Sequence, residues 1–154
     1  MILSFIFAFC STMGFCILFH VPKKHLVSAS FVGGCGWITY TFLTSEGGSK
    51  VLACFVGSCI VALLSDIFSR GFKEAATIFI IPGILPLVPG AGMYYTMLAI
   101  LEGNFTETAS VGTETILMAG AISVALLMIA SLVKIFALAG NKILSLKRSI
   151  SRKT

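Results

Sequence analysis

Pro82-Gly83-Ile84-Leu85-Pro86-Leu87-Val88-Pro89-Gly90-Ala91-Gly92 is the stretch on which the reading of this chain turns. It holds three of the four prolines in the sequence, together with Gly83, Gly90 and Gly92. It lies in the middle of 75–101, a run of 27 residues without a charge. One helix of that length would measure ~40 Å, against a hydrocarbon core of ~30 Å. Each proline removes a backbone donor and crowds the preceding turn. Each also pushes the residue before it (Ile81, Leu85, Val88) away from helical geometry. The glycines add backbone freedom. The run is therefore predicted to form two half-helices, about 75–81 and 91–101, with 82–90 non-helical at mid-depth.

Backbone groups left unpaired in lipid are costly, so such a stretch must line a cavity or lie buried in protein. The second half-helix would begin near Gly90-Ala91-Gly92 with free N–H groups and a positive dipole end, which suits a carboxylate. The first would end near Phe79-Ile80-Ile81 with free carbonyls, which suit an ammonium group or a cation. Secondary transporters build midplane sites from discontinuous helices of this kind. Pro82, Gly83, Pro86, Pro89, Gly90, Ala91 and Gly92 are the candidate substrate-binding or pathway residues, with Tyr94 and Tyr95 placed to add side-chain hydrogen bonds. The alternative is a proline-kinked packing helix with no ligand.

The rest of the chain supplies the setting. Of 154 residues, 57% are hydrophobic and 11% charged, against ~45–50% and ~25% in soluble domains. A chain of this size cannot hide that much apolar surface from water. A water-soluble enzyme, a disordered chain and a disulfide-rich secreted scaffold are excluded, and a polytopic membrane protein remains. Cys10, Cys16, Cys35, Cys54 and Cys59 lie in apolar runs with no metal-type spacing, and read as small packing residues. No nucleophile–base pair or metal set is in a plausible arrangement. Neither an enzyme, a metal nor a cofactor is expected.

Charges punctuate the sequence into five predicted spans, roughly 2–19, 26–44, 51–68, 75–101 and 115–139. Glu46–Lys50 reads as a polar turn and 102–114 as a polar loop. The first span lacks the basic flank and small-residue cleavage site of a signal peptide. With the N-terminus outside and five crossings, the inner segments hold Lys23, Lys24, Arg70, Lys73, Lys142, Lys147, Arg148, Arg152 and Lys153, and the outer ones hold only Lys50. That asymmetry predicts N-out, C-in. The expected fold is all-α, a multi-pass protein of the cytoplasmic membrane, with a membrane domain at 1–140 and a basic cytoplasmic tail at 141–154. The net charge of +5 reflects this topology and not a nucleic-acid partner, since the tail has no aromatic residue to stack on bases.

The proline–glycine stretch, with Tyr94 just after it, resembles the small-subunit half of the threonine/serine exporter (ThrE-type) superfamily, close to its YjjB-like members. Gly14-Phe15 followed by Phe19-His20-Val21-Pro22-Lys23 agrees, and the similarity in span pattern covers nearly the whole chain. The resemblance implies proton-driven export of small carboxylates, either threonine and serine or a dicarboxylate such as succinate. It also implies a larger multispan membrane subunit as partner. One departure is Lys73-Glu74-Ala75, where the family pattern leads one to expect a proline before the first half-helix.

A charge inside a span is a functional candidate by default. Asp66 is the one acid inside a predicted span, and it is read either as an ion pair with Arg70 four residues on or as a proton or substrate group. Glu74 is read as an acid favoured by the dipole of the half-helix it precedes. His20 and His25 flank a turn and are expected to be solvated, with pH sensing as the alternative. Small residues at four-residue spacing (Ala29/Gly33, Ser30/Gly34, Ala53/Gly57, Ser58/Ala62, Ala121/Ala125) predict close helix packing within the chain or against another subunit. With no acid near the centre of any span, the coupling carboxylate is expected on the partner. A non-transporting scaffold subunit and a passive channel are the competing functions.

Overall fold

The computed structural model describes residues 2–151, and the side-chain surroundings of residues 2–135. Among these the chain is all helical, with no strand. The helices are α1 (Ile2–Leu18), α2 (Leu26–Ser45), α3 (Lys50–Phe72), α4 (Thr77–Ile84), α5 (Gly90–Leu101) and α6 (Phe105–Ser151). Short 3-10 turns occupy Lys23–His25 and Leu85–Leu87.

Local chemistry sets the ends. Helix α1 stops at His20, which adopts a left-handed φ of 55°. There the Val21 N–H reaches back to the Cys16 carbonyl (2.9 Å) and the His20 N–H to Ile17 (3.1 Å), the double bond of a Schellman cap. Ser49 caps α3 by accepting from the Leu52 N–H at 3.2 Å. Lys73, with φ 57°, closes it. Helix α6 starts ten residues earlier than the polar loop expected at 102–114 allows. Asn104 accepts from the Glu107 N–H (3.2 Å) and donates to the Glu107 carboxylate (2.9 Å). Asn104 thus serves as the N-cap of α6, and the cap reduces the loop to a turn around Gly103, whose φ is 73°.

Three helical stretches, Lys23–Ser45, Lys50–Phe72 and Phe105–Ile135, are long and apolar enough to cross a membrane. Helices α4 and α5 meet the same criterion only when taken together, and they are bent by 47° at the break between them. Helix α1 is apolar but shorter, at 17 residues.

The break is narrower than 82–90. Pro82 and Gly83 lie inside α4, Leu85–Leu87 continue as a 3-10 turn, and only Val88 and Pro89 are non-helical. Proline forfeits one hydrogen bond, but its fixed φ is itself helical, so Pro82 and Pro86 ride in helical turns. The chain leaves the helical path at Val88, which is extended (φ −62°, ψ 128°) ahead of Pro89, as a residue before proline prefers.

Helix α2 is the central element, packing on α1, α3 and α4, while α6 packs on α3 and α5. One buried cluster joins Val32, Cys54, Val61, Leu87, Met118 and Ile122 from α2, α3, the 3-10 turn and α6. Another joins Cys16, Ala29 and Phe79. The small residues make this closeness possible. A side chain at Gly33 would collide with Thr12, one at Gly34 would meet Phe5 at 2.6 Å, and one at Gly36 would collide with Val61. Ala29, Ser30, Gly33, Gly34, Ala53, Gly57, Ser58 and Ala62 are all buried inside the chain. These four stripes are therefore spent on intrachain packing; of the fifth, Ala125 is buried and Ala121 is partly exposed. The surroundings of the basic tail expected at 141–154 lie outside the described residues.

Candidate functional site

The second half of the proline–glycine stretch opens a cavity of about 280 Å3. Pro86, Leu87, Val88, Pro89, Gly90, Ala91 and Gly92 form one wall, and α2 supplies Trp37 and Tyr40. Lys50 enters from the start of α3, and Glu114, Thr115 and Met118 enter from α6. The lining is apolar with a few polar groups, the usual make-up of a small-ligand site. Lys50 Nζ and Glu114 Oε2 form an ion pair at 3.1 Å, both side chains about half exposed. The cavity thus carries one positive and one negative charge.

The first turn of a helix leaves N–H groups without intrahelical acceptors, and α5 begins against this cavity. The Gly90 N–H is already engaged, donating to the Val88 carbonyl at 2.7 Å, and Met93 donates to Pro89 at 3.1 Å. Of the three donors expected at 90–92, Ala91 and Gly92 therefore remain as the first-turn N–H groups. Nothing lies within 4 Å of where a Gly90 side chain would be built, whereas one at Gly92 would collide with the Thr115 hydroxyl. Gly90 keeps space open; Gly92 lets α5 and α6 touch. The broken backbone is satisfied in part by Cys54, whose thiol donates to the Leu87 carbonyl at 3.4 Å.

The remaining candidates separate from this cavity. Gly83 is packed in the core, where a side chain would meet Val32 at 3.1 Å and Val61 at 3.3 Å. Pro82 is fully buried and borders another cavity, of about 390 Å3, shared with Phe19, His20, Val21 and Pro22. The two sequence elements that carried the resemblance therefore meet in space. Tyr94 and Tyr95 do not line the α5 cavity; they stack edge to face at 5.4 Å on the outside of α5, both more than half exposed. They lie two and three residues past Gly92, and the 100° step per helical residue carries them round to the outer face. Asp66 is bonded to Arg70 Nε at 2.7 Å, so the ion-pair reading holds.

His25 departs from expectation. It is 1% exposed and not solvated. Its ring lies edge-on to Phe72 and Phe79, at centroid distances of 4.8 and 5.5 Å. Its Nε2 sits 3.4 Å from Glu74 Oε1, the same oxygen that Lys24 Nζ binds at 2.7 Å. These hydrogen bonds, from Lys24 first and then His25, hold the Glu74 carboxyl below its ordinary range. Glu74 is thus a tie between the Lys23–His25 turn and the α3–α4 link, not simply an acid on the α4 dipole. Its backbone is fixed too, its N–H bonded to Ser69 O and its carbonyl accepting from Ser69 Oγ. This clamp stands where a proline was expected.

Trp37, Tyr40, Lys50, Glu114 and Thr115 were not singled out as site residues from the sequence. Lys50 had one visible sign, as the lone base on the predicted outer side. The others sit far from the motif in the chain and reach it only through helix packing.

Comparison with known proteins gives the family. The family description "Threonine/Serine exporter, ThrE" matches residues 4–132. An uncharacterized protein of Haemophilus influenzae is 27% identical over 97 residues, 63% of this chain and 33% of that protein. The chain thus spans less than two thirds of that relative's length. No solved structure matches. A match over most of the chain shows that this protein belongs to the threonine/serine exporter family of membrane transporters.

Proposed function

We propose that this chain is one half of a proton-coupled exporter of small carboxylate metabolites, acting with a larger multispan subunit in the cytoplasmic membrane. The observation that carries the reading is the cavity where the Pro89-Gly90 break faces Lys50 and Glu114. A substrate carboxylate is taken by the Ala91 and Gly92 N–H groups and Lys50. Glu114 accepts the ammonium group. A second carboxylate there would face a like charge, so a zwitterion such as threonine or serine fits better than a dicarboxylate such as succinate. The chain crosses five times, N-out and C-in, with α1 as the first crossing and α4–α5 as the fourth. Alternating access then comes from rocking this half against its partner around the site.

Proteoliposomes loaded with threonine test the reading. This chain and its larger partner together give pH-gradient-driven efflux, and this chain alone gives none. Gly90→Leu places bulk beside the cavity and reduces efflux at least tenfold, or about 1.4 kcal/mol in the barrier to transport. Full efflux by Gly90→Leu would refute the site, and coupled efflux by this chain alone would refute the split carrier. Partner stabilisation without any flux would leave only a scaffold. Flux indifferent to the pH gradient would make the protein a passive channel. Cysteine placed at position 107 is labelled from outside; labelling from the cytoplasm alone would refute the topology.

A further inference from the structure

Among the described residues, His25 is a buried imidazole that the carboxylate site does not use. We propose that His25 and Glu74 form a proton-binding site that governs how the broken helix packs at the lysine- and arginine-rich end of the bundle. The inference rests on the proton-coupled reading above and supplies a proton site on this chain, where the sequence placed the midplane coupling carboxylate on the partner.

The geometry is specific. His25 Nε2 faces Glu74, and Nδ1 is buried without a hydrogen-bond partner. In the neutral ring, Nε2–H donates to Glu74 and Nδ1 holds a bare lone pair. Proton uptake from water forms an Nδ1–H bond and makes the ring a cation. That places a charged donor against aromatic rings, with no acceptor beside it. Such a group is expensive to keep buried. The cost is relieved when the ring swings toward water and the Phe72–Phe79 contact opens.

The surrounding charges fix the direction. From its own turn, Lys24 shares Glu74 Oε1 with His25, and Lys23 is exposed. The α3–α4 link brings Glu74 and exposed Lys73. In the last turns of α3, Asp66 and Arg70 are paired with each other. Helix α4 brings no charge, and α1 brings only the Cys16 thiol and, just beyond it, exposed His20. Protonated His25 and Lys24 thus compete for a single carboxylate. Glu74 stays ionised because its bonds hold it low, so the histidine is the group that changes charge. Imidazole is the side chain suited to do so near neutral pH.

The consequence reaches α4 directly. Phe79 lies on α4 and packs with Cys16 and Ala29, with Val21 and Ile78 against the same cluster. Val21 and Ile78 also line the cavity of about 390 Å3 beside Pro82. That cavity gives water a place next to the cage. Neutral His25 keeps the α2–α4 corner shut; protonated His25 loosens it.

The test reads the ring itself and needs no transport. In the full chain carrying His20→Asn, which suits the left-handed position, His25 is the single histidine, and its ring resonances are followed by NMR from pH 5 to 8. They are expected to titrate. Glu74→Gln should shift that titration to lower pH by removing the counter-charge. Lys24→Gln should shift it to higher pH by removing the competitor. A ring that does not titrate in this range, or a titration that neither substitution moves, overturns the proposal. If Glu74→Gln unfolds the chain, the Lys24→Gln shift decides alone. A second arm asks whether the site couples to flux. His25→Gln should flatten the pH profile of threonine efflux while efflux at one fixed pH persists. An unchanged profile overturns the link to transport but leaves the carboxylate site standing.

Discussion

Pro82-Gly83 and Pro89-Gly90 are the same dipeptide seven residues apart in one apolar run, and they have opposite roles. Pro82 is fully buried, and a side chain at Gly83 would press on Val32 and Val61. A side chain at Gly90 would meet nothing within 4 Å and would project beside the cavity lined by Lys50 and Glu114. The first glycine is small because neighbouring helices come close. The second is small because space must stay open. Composition and local conformational preference are the same at both, so what separates them is what the other helices place against each.

The largest expected effect tests the packed half. Gly83→Leu forces bulk against two β-branched side chains on different helices, and overpacking of this kind costs about 3 kcal/mol. The variant should lose most of its folded population, read as thermal midpoint in detergent. A normal midpoint would erase the contrast between the two pairs.

Gly92 shares features of both halves, since it borders the cavity and also seats Thr115. Gly92→Ala should cost about 1–2 kcal/mol through that collision. Thr115→Ala removes the hydroxyl, so the double substitution should recover about 1 kcal/mol of coupling in a double-mutant cycle. Strict additivity would mean that Gly92 acts through the cavity alone.

The packed half is also anchored at the start of α4 by Glu74. Its carboxyl is depressed in the folded state by bonds from Lys24 and His25. That contribution is therefore complete above the ordinary carboxylate value of 4.5 and is lost as pH falls through the lower folded value. Because the carboxyl is near the surface the loss should be small, and Glu74→Gln should abolish that part of the acid dependence. Unchanged acid unfolding in Glu74→Gln would remove the anchor from the comparison.

The smallest effect belongs to Gly90→Leu, whose stability should stay within about 0.5 kcal/mol of the parent while efflux falls. A large loss of stability there would show that Gly90 is a packing glycine like Gly83.

The membrane class and the all-helical build were legible in the sequence because both follow from composition and from where charges interrupt apolar runs. The break in the fourth run was legible too, since three prolines and three glycines act on their own backbone. Its extent was not. Proline's helical φ let Pro82 and Pro86 stay in helical turns, and only packing decided that the chain turns at Val88 and Pro89. The start of α6 was written in Asn104 and Glu107, but the polar character of 102–114 masked that local capping signal.

Roles that depend on neighbours were not legible. Tyr94 and Tyr95 stand beside the motif in the chain but turn outward, while Lys50 and Glu114, 64 residues apart, meet at 3.1 Å. His25 looked like a loop histidine and is buried because Phe72 and Phe79 close over it. Sequence alone determined which residues prefer helix, turn or lipid, because those preferences are local. The tertiary structure decided which glycine is filled, which is left open and which charges face each other, because contact between distant residues exists only once the helices pack.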